Sequence, residues 1–240
     1  MAVGRFGGFL WDTARSARDV RTWLPLTVGQ MRRIGVQSVP IALFIAVFTG
    51  IVLALLSSYA FTQAVPLYFV GTFVGKAMLL ELSPVLVGLA LAGRVGANVA
   101  AELGTMRVTE QIDALETLAT NPVKFLIVPR FISGCIMLPA LVVITDIVGI
   151  VGGYFVTVNL LDASSRTYMK ATWDFLEAQD IYSGLIKAAF FGAAFTLISC
   201  YKGFYTKGGA EGVGRATTGA VVYSSMAILI SDYFLSAWLF

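Results

Sequence analysis

Histidine is missing altogether from the 240 residues. Its absence excludes Ser-His-Asp catalysis, HExxH zinc hydrolysis, histidine proton relays and His-ligated haem. Charge is scarce as well. Only 13% of residues are Asp, Glu, Lys or Arg, against about 25% in an ordinary soluble domain. The two cysteines, Cys135 and Cys200, both lie in apolar runs. They form no CxxC pair and offer no disulfide framework, so they read as small buried hydrophobes. Nothing has the spacing of a metal site, and no cofactor of the chain's own is expected. The net charge of +3 comes from 17 basic and 14 acidic residues, too weak a balance to point to nucleic acid.

What is present is apolar. Hydrophobic residues make up 58% of the chain, and the mean hydropathy is +0.82. The chain is read as an all-α integral membrane protein. A span takes about 20 residues, so four to six spans fit and no large soluble domain does. Five apolar segments stand out, at about 38–61, 77–102, within 126–158, 183–203 and 217–240. The third is too long for one perpendicular span, and Pro129 and Pro139 suggest an interfacial start and a kink. Residues 1–37 form a separate region with Arg5, Arg15, Arg18, Arg21, Arg32 and Arg33 against Asp12 and Asp19. Phe6, Phe9, Leu10, Ala17, Val20 and Leu24 recur there at helical spacing, which predicts an amphipathic helix lying on the membrane surface. No short apolar core precedes a small-residue cleavage site, so no cleaved signal peptide is expected. Residues 38–240 then make one five-span domain.

Lysines and arginines in the connections set the orientation. The N-terminal arginines fall on one side with Arg107, Lys124, Arg130, Lys202, Lys207 and Arg215; only Lys76, Arg166 and Lys170 fall on the other. The N-terminus is therefore expected inside and the C-terminus outside, with the acidic 159–182 connection on the outer face.

The second span carries the clearest pattern. Gly88, Ala92, Gly96, Ala100 and Gly104 recur every four residues, widened by Gly93, Ala97 and Ala101. Such a row lets helix backbones approach closely in lipid, against another helix of the same chain or of a second copy. Gly149 and Gly153 give a shorter version. Arg94, Asn98 and Glu102 also recur every four residues, and at about 100° per residue they lie roughly opposite the small row. Intramembrane charge marks a functional site by default, so Arg94 needs a partner or a polar cavity. Asp146, Lys187 and Asp232 are three further charges at membrane depth, and Lys187 is expected to pair with one or both aspartates. Between the second and third segments, Met106–Pro122 reads as a short amphipathic helix, at about 105–120. Val108, Ile112, Leu115 and Ala119 form one stripe, with Glu110, Gln111, Asp113 and Glu116 on the other faces, and Asn121-Pro122 as its stop. An acidic helix suits docking to a protein partner better than an anionic membrane surface. The stretch 207–219 is read as a flexible glycine-rich loop. Its Gly209 to Gly214 spacing fits a phosphate loop, but Arg215 and Ala216 stand where Lys and Ser/Thr are needed.

The run ELSPVLVGLALAGRVGANVAAELGTMRVTEQIDALETLATNP at 81–122 strongly resembles the MlaE/YrbE permease family, as do PRF at 129–131, LIK at 185–187 and GRATTGAVVYSS at 214–225. These are membrane subunits of ABC transporters that work with MCE proteins. The resemblance implies a homodimer in the inner membrane, a cytoplasmic ABC ATPase dimer that supplies ATP and magnesium chemistry, and a hexameric periplasmic ring of MCE-domain protein. It implies lipid movement between the inner membrane and the cell envelope, phospholipid in the Mla case, and with it outer-membrane asymmetry. It also implies that the 105–120 helix enters a groove on the ATPase, which maps the coupling role onto Glu102, Gly104, Arg107, Glu110, Gln111 and Asp113. The family's intramembrane lysine matches Lys187. On this reading the 106–119 helix is a rigid continuation of the second span through Gly104, and ATPase closure pushes on it. The chain itself is a transport subunit and not an enzyme.

The rival class is an ion-coupled secondary carrier or channel with Asp146, Lys187 and Asp232 as a relay. Such carriers often show inverted repeats, and five spans do not split into equal halves. The chain also lacks a GxGD motif and a metal cluster, which weighs against an intramembrane enzyme.

Overall fold

The structure is a computed structural model that describes residues 2–18, 20–60 and 69–239. Asp19, the expected last residue of the first span (Phe61) and that of the fifth (Phe240) lie outside these, as do the side chains of Val20 and Arg21. Among the described residues there are helices and turns and no strand. That is the expected outcome for a chain in lipid, where each backbone amide must find its partner within its own segment.

Among the described residues eleven α-helices follow one another: α1 Ala2–Ser16, α2 Val20–Ile34, α3 Val39–Ala60, α4 Phe69–Ala77, α5 Ser83–Leu91, α6 Ala97–Val108, α7 Gln111–Thr117, α8 Val128–Asn159, α9 Ser165–Phe175, α10 Ala178–Phe204 and α11 Gly209–Leu239. Wide π turns at Met78–Leu82 and Ala92–Gly96 join α4, α5 and α6, and a third at Val123–Ile127 leads into α8. Five helical stretches are long and apolar enough to cross a membrane: Trp23–Ala60, Phe69–Val108, Val123–Asn159, Ala178–Phe204 and Gly209–Leu239. The second is 40 residues long, or about 60 Å at 1.5 Å per residue, twice the hydrocarbon thickness. Its end therefore stands clear of the apolar layer.

The N-terminal region differs from the single helix expected. It is two helices, separated by a turn at residues 17 and 18, where the Trp23 indole N–H donates to the Ala17 carbonyl at 2.9 Å. The apolar stripe is also shared with the protein. Phe9 is buried against Tyr201, Phe204 and Tyr205 of the α10 end, while Leu10 and Leu24 stay exposed. α2 packs on α8, and the Ser133 hydroxyl donates to the Thr27 carbonyl. Only a tight turn at Val36–Ser38 separates α2 from α3.

α8 is the central strut, packed between α3 and α10, and α10 in turn lies on α6 and α11. Two close backbone approaches lie here. A Cβ on Gly50 would land on the Gly149 carbonyl, and one on Gly192 would land on the Gly134 carbonyl. No side chain larger than hydrogen fits either crossing. Pro139 lies inside α8, and Pro129 sits in its first turn, directly after the π turn. At the end away from α7, α9 covers α4. Tyr168 is fully buried there, Thr72 donates to the Ala171 carbonyl at 3.2 Å, and Lys76 pairs with Asp180 at 3.5 Å. Burial pushes the Tyr168 phenol up to about 12.

The stretch 207–219 is also not the loop expected. The chain turns at Gly208 and Gly209, which have φ of +93° and +64°, and α11 begins at Gly209. Three local contacts hold this glycine-rich start in helix. Arg215 pairs with Glu211 one turn back at 3.1 Å, the Thr217 hydroxyl caps the Val213 carbonyl, and Gly212 packs against the Lys207 backbone.

Candidate functional site

The small row of the second span faces its own chain. Ala92 and Ala100 are fully buried, Gly88 lies beside Phe191 and Ile228, Gly96 beside Ser199, and Gly104 beside Thr206 and Val213. The row is thus the seat of α10 and α11. Gly149 and Gly153 seat α3 and α4 in the same way, through Ala46, Gly50, Val74 and Met78.

The polar residues gather at three places along this bundle. At the first, Lys187 is fully buried in α10 and reaches across to α11 and the first π turn. Its Nζ lies 2.6 Å from Glu81 Oε1, 3.2 Å from Asp232 Oδ1 and 2.8 Å from Ser236 Oγ, and it donates to the Leu80 carbonyl at 3.0 Å. Ser236 Oγ is also 2.9 Å from Glu81 Oε1. The expected pairing with Asp232 is present. Asp146 belongs elsewhere. It faces Ser83 of α5, and its buried Oδ1 has no hydrogen-bond partner among the described residues. Three segments far apart in sequence thus meet on one ammonium. With one cation and two carboxylates, such a group can hold or exchange charge inside a low-dielectric bundle. Glu81 and Ser236 were not picked out from sequence. Glu81 was legible as an acid within AMLLELSPVLVG, but it lies close to the segment's start and passes for a boundary residue.

At the second place, Arg94, Asn98 and Glu102 line one wall of a cavity of about 190 Å³, completed by Gln30, Arg33 and Gln37 of the α2 end. Arg94 donates to Ser38 Oγ at 2.6 Å. Glu102 does not meet Arg94. It bridges Arg33 at 3.3 Å and Arg130 at 3.0 Å, and so ties α2, α6 and α8 together. Arg130 is nearly fully buried.

The third place is the surface end of the second span. α6 continues through Gly104 to Val108, but Thr109 ends it and Glu110 takes a left-handed φ of +60°. The expected helix at 105–120 is therefore two pieces, and α7 covers only Gln111–Thr117. Ala119, expected on its apolar stripe, is also left-handed and lies past its end. Asn121 does not stop α7; its Oδ1 accepts from the Val123 N–H at 3.0 Å and so caps the next turn. α7 is held by Ile112, fully buried, and by an ion pair between Arg107 and Asp113 at 2.5 Å. Glu110, Gln111 and Glu116 are exposed. Close by, at the α10 end, Tyr205 has its pKa raised, chiefly by burial and then by the Tyr201 phenol.

Comparison with known proteins agrees with this layout. A family model described as "Permease MlaE" matches residues 27–238. A probable ABC transporter permease protein of Rickettsia conorii is 47% identical over 239 residues, covering 100% of this chain and 92% of its own. The intermembrane phospholipid transport system permease protein MlaE of Haemophilus influenzae is 35% identical over 240 residues, again covering 100% and 92%. The chloroplastic protein TRIGALACTOSYLDIACYLGLYCEROL 1 of Arabidopsis thaliana is 37% identical over 214 residues, covering 89% of this chain and 61% of its own.

Proposed function

The chain belongs to the MlaE permease family, and from that premise we propose that it is the inner-membrane permease of an ABC transporter that moves phospholipid between that membrane and the cell envelope. Two copies form the core, a cytoplasmic ATPase dimer drives it, and a periplasmic MCE-domain ring receives or delivers the lipid. The N-terminal helices and α7 lie on the cytoplasmic side, in keeping with the bias of lysine and arginine in the connections. The apolar surfaces of α3 (Phe44, Phe48, Leu56) and α11 (Met226, Leu229, Phe234) are exposed, and they face lipid or the second copy.

The observation that carries this reading is α7. It is a short acidic helix pinned to the bundle by Ile112 and the Arg107–Asp113 pair, with Glu110 and Glu116 free on its outer face. An exposed acidic helix on a membrane protein gains little from anionic lipid and much from a basic groove on a protein. The ion-relay rival needs Asp146, Lys187 and Asp232 in one line, and Asp146 stands with Ser83 instead.

The test is charge reversal at the two free acids, Glu110→Lys with Glu116→Lys, in the co-expressed transporter. The ATPase is expected to stop co-purifying with the permease, and lipid-stimulated ATP hydrolysis to fall with it. Unchanged assembly and turnover would count against a coupling role for α7.

A further inference from the structure

The cavity between α2 and the second span is built as a headgroup site. Arg33, Arg94 and Glu102 line it, and Glu102 pairs with Arg33 and, behind the wall, with Arg130. Arg130 and Glu102 satisfy one another at 3.0 Å. Arg94 has only the Ser38 hydroxyl, with no carboxylate at ion-pair distance among the described residues. An arginine within a membrane-spanning helix and without a counter-ion is costly. The region therefore has an excess of positive charge around about 190 Å³ of open space.

A second cavity, of about 410 Å³, adjoins it. The two share Gln30, Arg33 and Glu102, so the Arg33–Glu102 pair is the wall between them. The second adds Arg130 and the apolar groups Leu26, Met106, Phe125 and Leu126. Guanidiniums set beside such apolar groups match a molecule with an anionic head and a hydrocarbon tail.

We propose that an anionic phospholipid binds here, with its phosphodiester between Arg33 and Arg94 and its acyl region along Leu26 and Phe125. Arg33 is the exchangeable partner. Its side chain is 62% exposed and reaches Glu102 at only 3.3 Å. It turns to the phosphate while Glu102 stays on Arg130. Guanidinium groups suit this because they donate in a planar fork to phosphate oxygens. The site lies at the α7 end of the bundle, away from the Lys187 group. It rests on the phospholipid reading above and deepens it by placing a lipid contact on the leaflet of the N-terminal helices.

The test uses the purified full chain in detergent, with no ATPase present, so its failure leaves the permease reading standing, and loss of ATPase assembly leaves the site standing. The probes are phosphatidylglycerol, phosphatidylcholine and inorganic phosphate, with retained lipid counted by native mass spectrometry. Wild type should favour phosphatidylglycerol over phosphatidylcholine about tenfold, the scale of one charged hydrogen bond. Arg94→Gln should abolish that preference and Arg94→Lys restore part of it. Arg33→Gln changes an exposed side chain and leaves the core closed, so it should lower the preference with no change in melting temperature. No preference in wild type, or an undiminished one in R33Q and R94Q, overturns the proposal. Displacement of the lipid by millimolar inorganic phosphate also overturns it, because the site then takes a free anion.

Discussion

Replacing Lys187 by methionine should be among the most costly single changes in the bundle. The lysine is fully buried, and its ammonium stands 2.6 Å from Glu81 and 3.2 Å from Asp232. Methionine fills much the same volume, so the cost is electrostatic: two carboxylates are left together without their cation. Removing one partner of a buried ion pair costs about 3–5 kcal/mol. Glu81 and Asp232 keep 41% and 21% side-chain exposure, and the hydration they retain moves the expectation to the low end, about 3 kcal/mol. For a chain of this length that is a fall of about 6–12 °C in Tm. The triple variant E81Q/K187M/D232N removes all three charges together and should recover most of the loss. Thermal unfolding of the purified chain in detergent measures both. Equal Tm for wild type and K187M refutes the reasoning. Transport by the reconstituted complex then separates two roles. A triple variant that is stable but inactive shows the charges acting in transport, whereas one that is stable and active confines them to holding the helices.

Two further expectations concern packing. Gly192→Ala puts a Cβ onto the Gly134 carbonyl, backbone that cannot yield, and should cost about 1–3 kcal/mol by overpacking. Gly88→Ala meets only Phe191 and Ile228 side-chain atoms at 3.6 Å, and its stability should match wild type within about 0.5 kcal/mol. Tyr168→Phe should be close to neutral, because the buried hydroxyl faces Thr157 without a well-formed hydrogen bond among the described residues. With the phenol pushed up to about 12, it stays protonated, and the pH profiles of Tm for Y168F and wild type should run parallel from mildly acid to mildly alkaline conditions.

The five spans were legible because each is a long apolar run with polar connections, and lipid leaves such a run no alternative to helix. The small row Gly88–Gly104 was legible as a packing face, but its partner was not, since periodicity says that a helix is close and never which one. The two glycine-on-glycine crossings, Gly50 on Gly149 and Gly134 on Gly192, involve glycines of which only Gly149 belongs to a visible row. A crossing needs one small residue on each helix, and a single glycine makes no period. The pairing of Lys187 with Asp232 was accessible from the cost of intramembrane charge. The choice of Glu81 over Asp146 was not, because it depends on how α4 and α5 are phased by the π turn at Met78–Leu82, and π turns have no signature in the sequence. α11 was drawn too short for a related reason. The five glycines in 208–219 read as flexibility, while the Glu211–Arg215 pair and the threonine back-bonds that hold them in helix are individually weak signals.

The second helical stretch connects all three polar places, and the break at its end decides how a load on α7 reaches them. Glu81 and Arg94 each occupy a π turn, Glu102 lies one turn before Met106, and Arg107 closes α6. A continuous helix from Gly104 through residue 119 would act as a stiff lever. The left-handed Glu110 removes that continuity, at a cost of about 1–2 kcal/mol for a residue with a side chain. The cost is sustained because two contacts over-determine the bend, Ile112 in the bundle and Asp113 on Arg107. A push on α7 therefore enters the bundle through the Arg107–Asp113 pair and the Ile112 contact, and only from there passes along α6. Since Arg107 and Glu102 share α6, and Glu102 holds both Arg33 and Arg130, displacement of α6 loads the α2 wall of the cationic cavity before it reaches Lys187. The N-terminal helices, which lie apart from the five-span pattern in the sequence, are in this structure reached from α7 through Glu102, alongside α10 and α11, on which α6 packs directly.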